Sequence, residues 1–271
     1  MLLSNDSNSS VISFRRYEYK YLISPELMNP IRKFLLSYCY LDPFAHKEPD
    51  EFYAVQNLYL DSADYRAYQD AQLEAPSRLK LRIRAYGRDP AALTKFEIKR
   101  RFNDVCYKTS VKVCHKTWPG LLDPQGFPSI DTVTRMANPS LRRFMALAHS
   151  LHAEPKMLIR YERQAFQSKI DRYVRITFDR RICHQPKDTY GLRAQPGNWV
   201  CSNAGDSGDV EPYVILELKM MAHPPIWVME LLRRFQLISR GYSKYCTAVT
   251  SILSNQPRLE GVALTCSAQR S

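Results

Sequence analysis

The feature that most constrains this chain is an alternation. In RLKLRIRAYG, residues 78–87, Arg78, Lys80, Arg82 and Arg84 take every second position, and Leu79, Leu81, Ile83 and Ala85 fill the gaps. Side chains along a strand point alternately to two faces. As a strand, the segment has one apolar face and one wholly cationic face. Four like charges in a row repel, so the cationic face needs an anionic partner or water. The pattern recurs in FRRYEYKYLI (14–23), YAVQNLYLDS (53–62), LTKFEIKRRF (93–102), VCYKTSVKV (105–113), KMLIRYERQAFQSK (156–169), YVRITFDRRI (173–182) and PYVILELKMM (212–221). Asn103-Asp104 separates two of these runs and reads as a hairpin turn.

Helices are expected from Pro25 to about Tyr38, with Ser24 as cap, and around 129–136, 139–151, 224–237 and 243–253. Eight strands mostly in hairpin order, with few helices, imply an α+β fold. The expected form is an antiparallel eight-stranded, tunnel-like barrel with helices packed outside. Residues 1–11 are Ser/Asn-rich and read as a disordered start, 12–254 as one domain and 255–271 as a loose tail. The Gly-, Pro-, Asn- and Asp-rich stretch 184–212 reads as a loop excursion between two strands.

The charged faces repeat one chemistry. Arg16, Glu18 and Lys20 share a face, as do Lys80, Arg82 and Arg84, then Glu97, Lys99 and Arg101. Arg163 follows, then Arg175, Thr177 and Asp179, then Glu217 and Lys219. An antiparallel sheet with one wet face also alternates in this way, but it mixes polar types, whereas these faces are weighted toward Arg and Lys. Arg grips phosphate oxygens bidentately and Lys acts as a point charge. With helices on the apolar side, the basic faces line a channel suited to a run of phosphates. The overall balance agrees: 39 Lys and Arg against 27 Asp and Glu give +12, which favours polyanionic partners.

Carboxylates are scarce on these faces. Phosphoryl transfer commonly uses a divalent ion held by one or two of them. Glu217, flanked by apolar residues, is the foremost metal candidate; for Glu18 and Glu97 a salt bridge to a neighbouring base is the favoured reading. The histidines form no H-x-x-x-H pair, no Gly-rich phosphate loop appears, and the seven cysteines include no C-x-x-C. They read as reduced thiols of a cytosolic protein. No apolar run is long enough to span a bilayer and the start lacks a signal-peptide pattern. Nucleic acid is not the expected partner, because the basic residues share strand faces with few aromatics rather than forming an interleaved outer surface.

Taken in order, RYEYKY, LYLDS, RLKLRIRAYG, FEIKRR, RYERQAF, VRITFD, VILELKMM and SRGYSKYC resemble the VTC domain. This is the polyphosphate polymerase domain of the vacuolar transporter chaperone family, within the triphosphate tunnel metalloenzymes. The likeness runs from about 13 to 254. It implies an eight-stranded tunnel with basic walls, and transfer of the terminal phosphate of ATP to a growing polyphosphate chain with Mn²⁺ or Mg²⁺. On this sequence it places the catalytic contacts at Lys20, Arg82, Arg84, Lys99, Arg163, Arg175 and Lys244, and the metal carboxylate at Glu217. Lys80, Arg101, Lys219 and Ser243 are further substrate contacts; Ser243 also reads as a helix cap. Arg16 stands where related tunnel phosphatases have the first Glu of Glu-x-Glu-x-Lys, which favours polymerisation over triphosphatase activity. A polyphosphate- or nucleotide-binding module without turnover is the other alternative. No SPX-type regulatory domain is seen, so the chain reads as a stand-alone bacterial type, and a membrane-protein partner is required only if product crosses a membrane.

Overall fold

The computed structural model of the chain describes residues 17–87, 94–103, 105–114, 133, 136–170, 173–195, 197–201, 213–221 and 223–255. The expectations for the disordered start, Arg16, Asp104, most of the 129–136 helix and the tail beyond 255 lie outside these residues.

The elements run β1 (Tyr17–Ile23), α1 (Pro25–Tyr38), β2 (Cys39–Leu41), α2 (Pro43–His46), β3 (Tyr53–Asp61), α3 (Arg66–Gln72), β4 (Ser77–Tyr86), β5 (Thr94–Phe102) and β6 (Val105–Val113). They continue with α4 (Pro139–Ser150), β7 (Glu154–Ser168), β8 (Arg175–Pro186), β9 (Val200–Cys201), β10 (Val214–Met220), α5 (Ile226–Arg234) and α6 (Lys244–Asn255). Eight strands form a continuous antiparallel path, β1-β10-β8-β7-β3-β4-β5-β6; β2 adds to β7 and β9 to β8. The sheet curls into a half-barrel. Register shifts at Tyr59/Leu60 and between Arg160 and Glu162 mark bulges, with Arg181 at φ 51° near the second, and bulges sharpen local twist. The α+β tunnel-like class expected from the alternation is the class observed.

The alternation sorts the two faces as expected. Leu81, Ile83, Phe96 and Ile98 point to the convex side, where Phe144, Met145 and Ala148 of α4 cover them. Val174, Ile176, Phe178, Val214, Leu216 and Leu218 pack with Ile31 and Leu35 of α1 and Trp227, Val228 and Leu231 of α5. Each such side chain withdrawn from water contributes about 1.5–3 kcal/mol. Asn138 caps α4 by accepting from Ser140 N and Leu141 N; Ser24 occupies the cap position of α1 without a side-chain bond.

One helix departs from the expected outside packing. Tyr245, Cys246, Ala248 and Val249 of α6 pack with Tyr53, Val55, Tyr59, Met157, Ile159 and Ile215. Those strand positions share the face of Arg82, Arg163 and Glu217, so α6 sits inside the curl. The reason is local: that stretch of the inner face is apolar, and an amphipathic helix covers it. Tyr245 Oη donates to Asp61 Oδ2 at 2.6 Å and its ring stacks on Tyr59. His184 meets Ser251 of α6 at 2.7 Å, and burial pushes its ring pKa down to about 4, so it stays neutral there. On the convex side Cys183 and Cys201, register partners, bring their sulfurs to 2.6 Å. Among the described residues no helix is long and apolar enough to cross a membrane.

Candidate active site

The concave face that α6 leaves open carries the charged side chains, in two ion-paired groups that meet at Tyr161, whose hydroxyl accepts from Arg84 and whose ring lies under Arg163 and Lys244. Around β1 and β10, Lys99 Nζ lies 3.1 and 3.0 Å from the two Glu18 oxygens, Lys20 Nζ lies 3.3 Å from Glu18 Oε1, and Lys219 Nζ lies 2.6 Å from Glu217 Oε1 and 3.8 Å from Glu18 Oε2. Lys20 also donates to the Tyr242 carbonyl at 2.7 Å. Lys99 belongs to β5 and Glu18 to β1, far apart along the sheet path; the curl brings them across the channel.

In the middle, Arg163 Nε and Nη2 grip the two Asp179 oxygens at 2.6 and 2.8 Å. Lys244, the first residue of α6, reaches Asp179 Oδ2 at 2.6 Å. Arg163 Nη2 also lies 3.7 Å from Glu217 Oε2, which joins this group to the first. On β4 and β5, Arg82 Nε donates to Glu97 Oε2 at 2.6 Å and Nη1 to Tyr59 Oη at 3.2 Å. Lys108 lies 2.5 Å from Glu97 Oε1. Arg84 Nε donates to Asn57 Oδ1 at 2.7 Å, with Tyr86 and Tyr161 hydroxyls at 3.4 Å from its other nitrogens.

Eight cations (Lys20, Arg82, Arg84, Lys99, Lys108, Arg163, Lys219, Lys244) therefore meet four carboxylates, Glu18, Glu97, Asp179 and Glu217. The carboxylates stay ionised. Burial and Glu217 push Glu18 up, but Lys99, Lys20 and Lys219 hold it at about 2. Burial likewise opposes ionisation of Glu97, Asp179 and Glu217, and the adjacent guanidinium and ammonium groups hold each below the ordinary carboxylate range. Burial lowers Lys99, with Lys20 and Lys219 adding to that against Glu18. The excess of positive charge in a half-buried channel is the electrostatic state that a bound polyanion relieves.

The structure gathers Lys20, Arg82, Arg84, Lys99, Arg163, Lys219, Lys244 and Glu217 of the expected site. Lys80 sits at the start of α6, where Nζ donates to Ser243 Oγ at 2.9 Å. Ser243 Oγ also accepts from Cys246 N at 3.3 Å, so it does cap the helix. Arg175 lies at the mouth, where Nη2 donates to Asp42 Oδ2 at 3.2 Å. Arg101 is not part of the cluster: it is exposed near the β5–β6 turn, its Nε donating to the Asn103 carbonyl at 2.8 Å. Arg78, at the start of the same cationic face, is half-buried, with its Nε hidden and unpartnered. Asp179, Lys108, Tyr59, Tyr161 and Asn57 were missed as site residues. Asp179 carried a signal, since it alternates with Arg175 and Thr177 on one strand face.

A divalent ion of the Mg²⁺ or Mn²⁺ type takes oxygen ligands and keeps few from protein. Among the described residues no group of three acidic, His or Cys side chains converges, so those residues alone build no full protein cage. Two carboxylates do converge on a single point cation: Lys219 Nζ stands between Glu217 and Glu18. That arrangement fits an ion whose remaining ligands are phosphate oxygens and water.

The VTC domain model matches residues 15–253. No curated protein matches the sequence. Among solved structures, one from Vibrio parahaemolyticus named as a "putative adenylate cyclase" matches with TM-score 0.45 and 13% identity, over 89% of this chain and 98% of that one.

Proposed function

The chain belongs to the VTC-domain family, and from that premise we propose that it transfers the terminal phosphate of a nucleoside triphosphate, ATP by the family resemblance, to a growing polyphosphate chain. The observation that carries this reading is the excess of eight cations over four carboxylates lining one concave face. Arg82, Arg84 and Arg163 present planar guanidinium forks for phosphate oxygens, while Lys20, Lys99, Lys219 and Lys244 supply point charges. Each now pairs with a carboxylate, hydroxyl or carbonyl of the channel, so substrate binding is an exchange of partners. Phosphoryl transfer needs positioning and charge stabilisation rather than a protein nucleophile. These side chains would align the donor triphosphate and the chain end and hold charge on the oxygens between them. Glu217 with Glu18 would hold Mg²⁺ or Mn²⁺, which when bound supplies Lewis-acid charge neutralisation at phosphate oxygens.

The test is direct. Purified protein with ATP and Mn²⁺ or Mg²⁺ should release ADP and build polyphosphate, read as acid-labile phosphate in excess of that in the remaining nucleotide. The near-isosteric Glu217→Gln should lose metal-dependent turnover while keeping the circular-dichroism spectrum. Wild-type protein that does neither reaction with either metal excludes the polymerase. A second reading has its own observation: all four channel carboxylates are engaged in ion pairs, as a polyanion-binding module without turnover would have them. In that case tripolyphosphate binds and ATP is returned intact.

A further inference from the structure

At one mouth of the channel the basic residues run into a chain of aromatic rings. Phe44 and Tyr53 have ring centroids 6.4 Å apart, and Tyr53 and Tyr86 6.2 Å. This chain touches the guanidinium groups directly. Arg84 Cζ lies 5.8 Å from the Tyr86 ring centre and its Nη1 donates to the Tyr86 hydroxyl. Tyr53 is the register partner of Arg163. Phe44 is fixed by the residue that holds Arg175: Asp42 Oδ1 accepts from Phe44 N at 2.9 Å, and its Oδ2 accepts from Arg175.

The cluster grades from core to solvent. Tyr53 is buried at its base, Tyr86 is half-buried, and Phe44 is 65% exposed. Cations ring the open end, with Lys47 Nζ 5.9 Å from the Phe44 ring centre and Lys95 Nζ 4.8 Å from that of Tyr86. An exposed ring whose backbone is held beside phosphate-binding groups suits a flat π-system carried on phosphates. Stacking on aromatic side chains is how proteins hold nucleobases without reading their edges.

We propose that Phe44 and Tyr86 are the nucleoside platform of this channel, on which the base of the donor nucleotide stacks while its triphosphate runs inward over Arg84 and Arg163. This rests on the phosphoryl-transfer reading above and adds to it where the non-phosphate half of the donor lies. It also orients the donor. The base stays at the aromatic mouth, and the terminal phosphate points toward Asp179 and Lys244 in the interior.

The test compares two ligands that differ by the nucleoside. Binding of ATP and of inorganic tripolyphosphate, each with Mg²⁺, is measured by calorimetry on the full chain. Phe44→Ala removes an exposed side chain, so the fold tolerates it. It should weaken ATP roughly tenfold and leave tripolyphosphate unchanged. Phe44→Trp should restore ATP affinity, and its fluorescence should be quenched by ATP and not by tripolyphosphate. An unchanged ATP affinity in Phe44→Ala overturns the platform, as does an equal loss for both ligands, which would make Phe44 merely structural. In either case wild-type binding of tripolyphosphate leaves the channel reading standing. Failure of wild-type protein to bind tripolyphosphate overturns the channel reading and the platform with it.

Discussion

Asp179 shows what a single residue decides in this channel. It is fully buried and holds two cations at once, Arg163 through a bidentate pair and Lys244 at the start of α6. Replacing one partner of a buried ion pair leaves uncompensated charge, at a cost of about 3–5 kcal/mol. Asp179→Asn keeps the shape and removes the charge. The empty variant should therefore lose several kcal/mol of stability in urea unfolding, and part of the loss should return with tripolyphosphate, which offers Arg163 and Lys244 another anion. A loss that tripolyphosphate does not reduce would mean these two cations do not face the ligand. Asp179 was visible in the sequence as the third member of an alternating face. That it neutralises Arg163 was not visible, because which acid meets which base depends on how the strands are staggered. The same holds for Glu18 and Lys99, eighty-one positions apart and joined only by the curl of the sheet.

At the scale of elements, α6 sets the boundary between the filled and the open parts of the half-barrel. Tyr245 to Asp61, Lys244 to Asp179, and Ser243 to Lys80 are among the contacts that seat it. Tyr245→Phe keeps the stack on Tyr59 and removes only the hydroxyl. Asp61 still accepts from Ser62 N, Ala67 N and Tyr68 N, so the expected loss is about 1–2 kcal/mol, read as a lower urea midpoint with an unchanged slope. Tyr245→Ala removes the buried ring as well and should cost about 3–5 kcal/mol. The strands were legible because period-two alternation survives any tertiary arrangement. The helical spacing of α6 was legible for the same reason, but not its place inside the curl: amphipathicity tells a helix to cover an apolar surface without saying which. Helix α3 was not read at all. It is short, it starts after Tyr65 in a left-handed conformation (φ 58°), and its first turn is capped from outside, by the Asp61 carboxylate at the end of β3.

For the whole molecule the governing quantity is the imbalance of charge on the concave face within a chain of formal charge +12. In the folded protein the four carboxylates are stabilised by their cations, and folded pKa values lie below ordinary ones, Glu18 at about 2 against 4.5. Between those values the unfolded chain binds more protons than the folded one, so stability is full above the ordinary carboxylate range and falls as pH drops through it toward 2. A bound polyanion acts in the same sense from outside, by supplying the negative charge that the channel lacks. At a ligand concentration a hundredfold above Kd it adds about 2.7 kcal/mol, or roughly 5–10 °C in Tm for a domain of this size. The share of the gain that comes from the more exposed Lys99, Lys108 and Lys219 should shrink between 0.1 M and 1 M salt as the Debye length contracts from about 10 Å to about 3 Å. Thermal unfolding at neutral pH with tripolyphosphate, against equal ionic strength of chloride, measures this. A Tm that does not rise, or that rises equally with duplex DNA, would show that the positive charge serves the outer surface and not the channel.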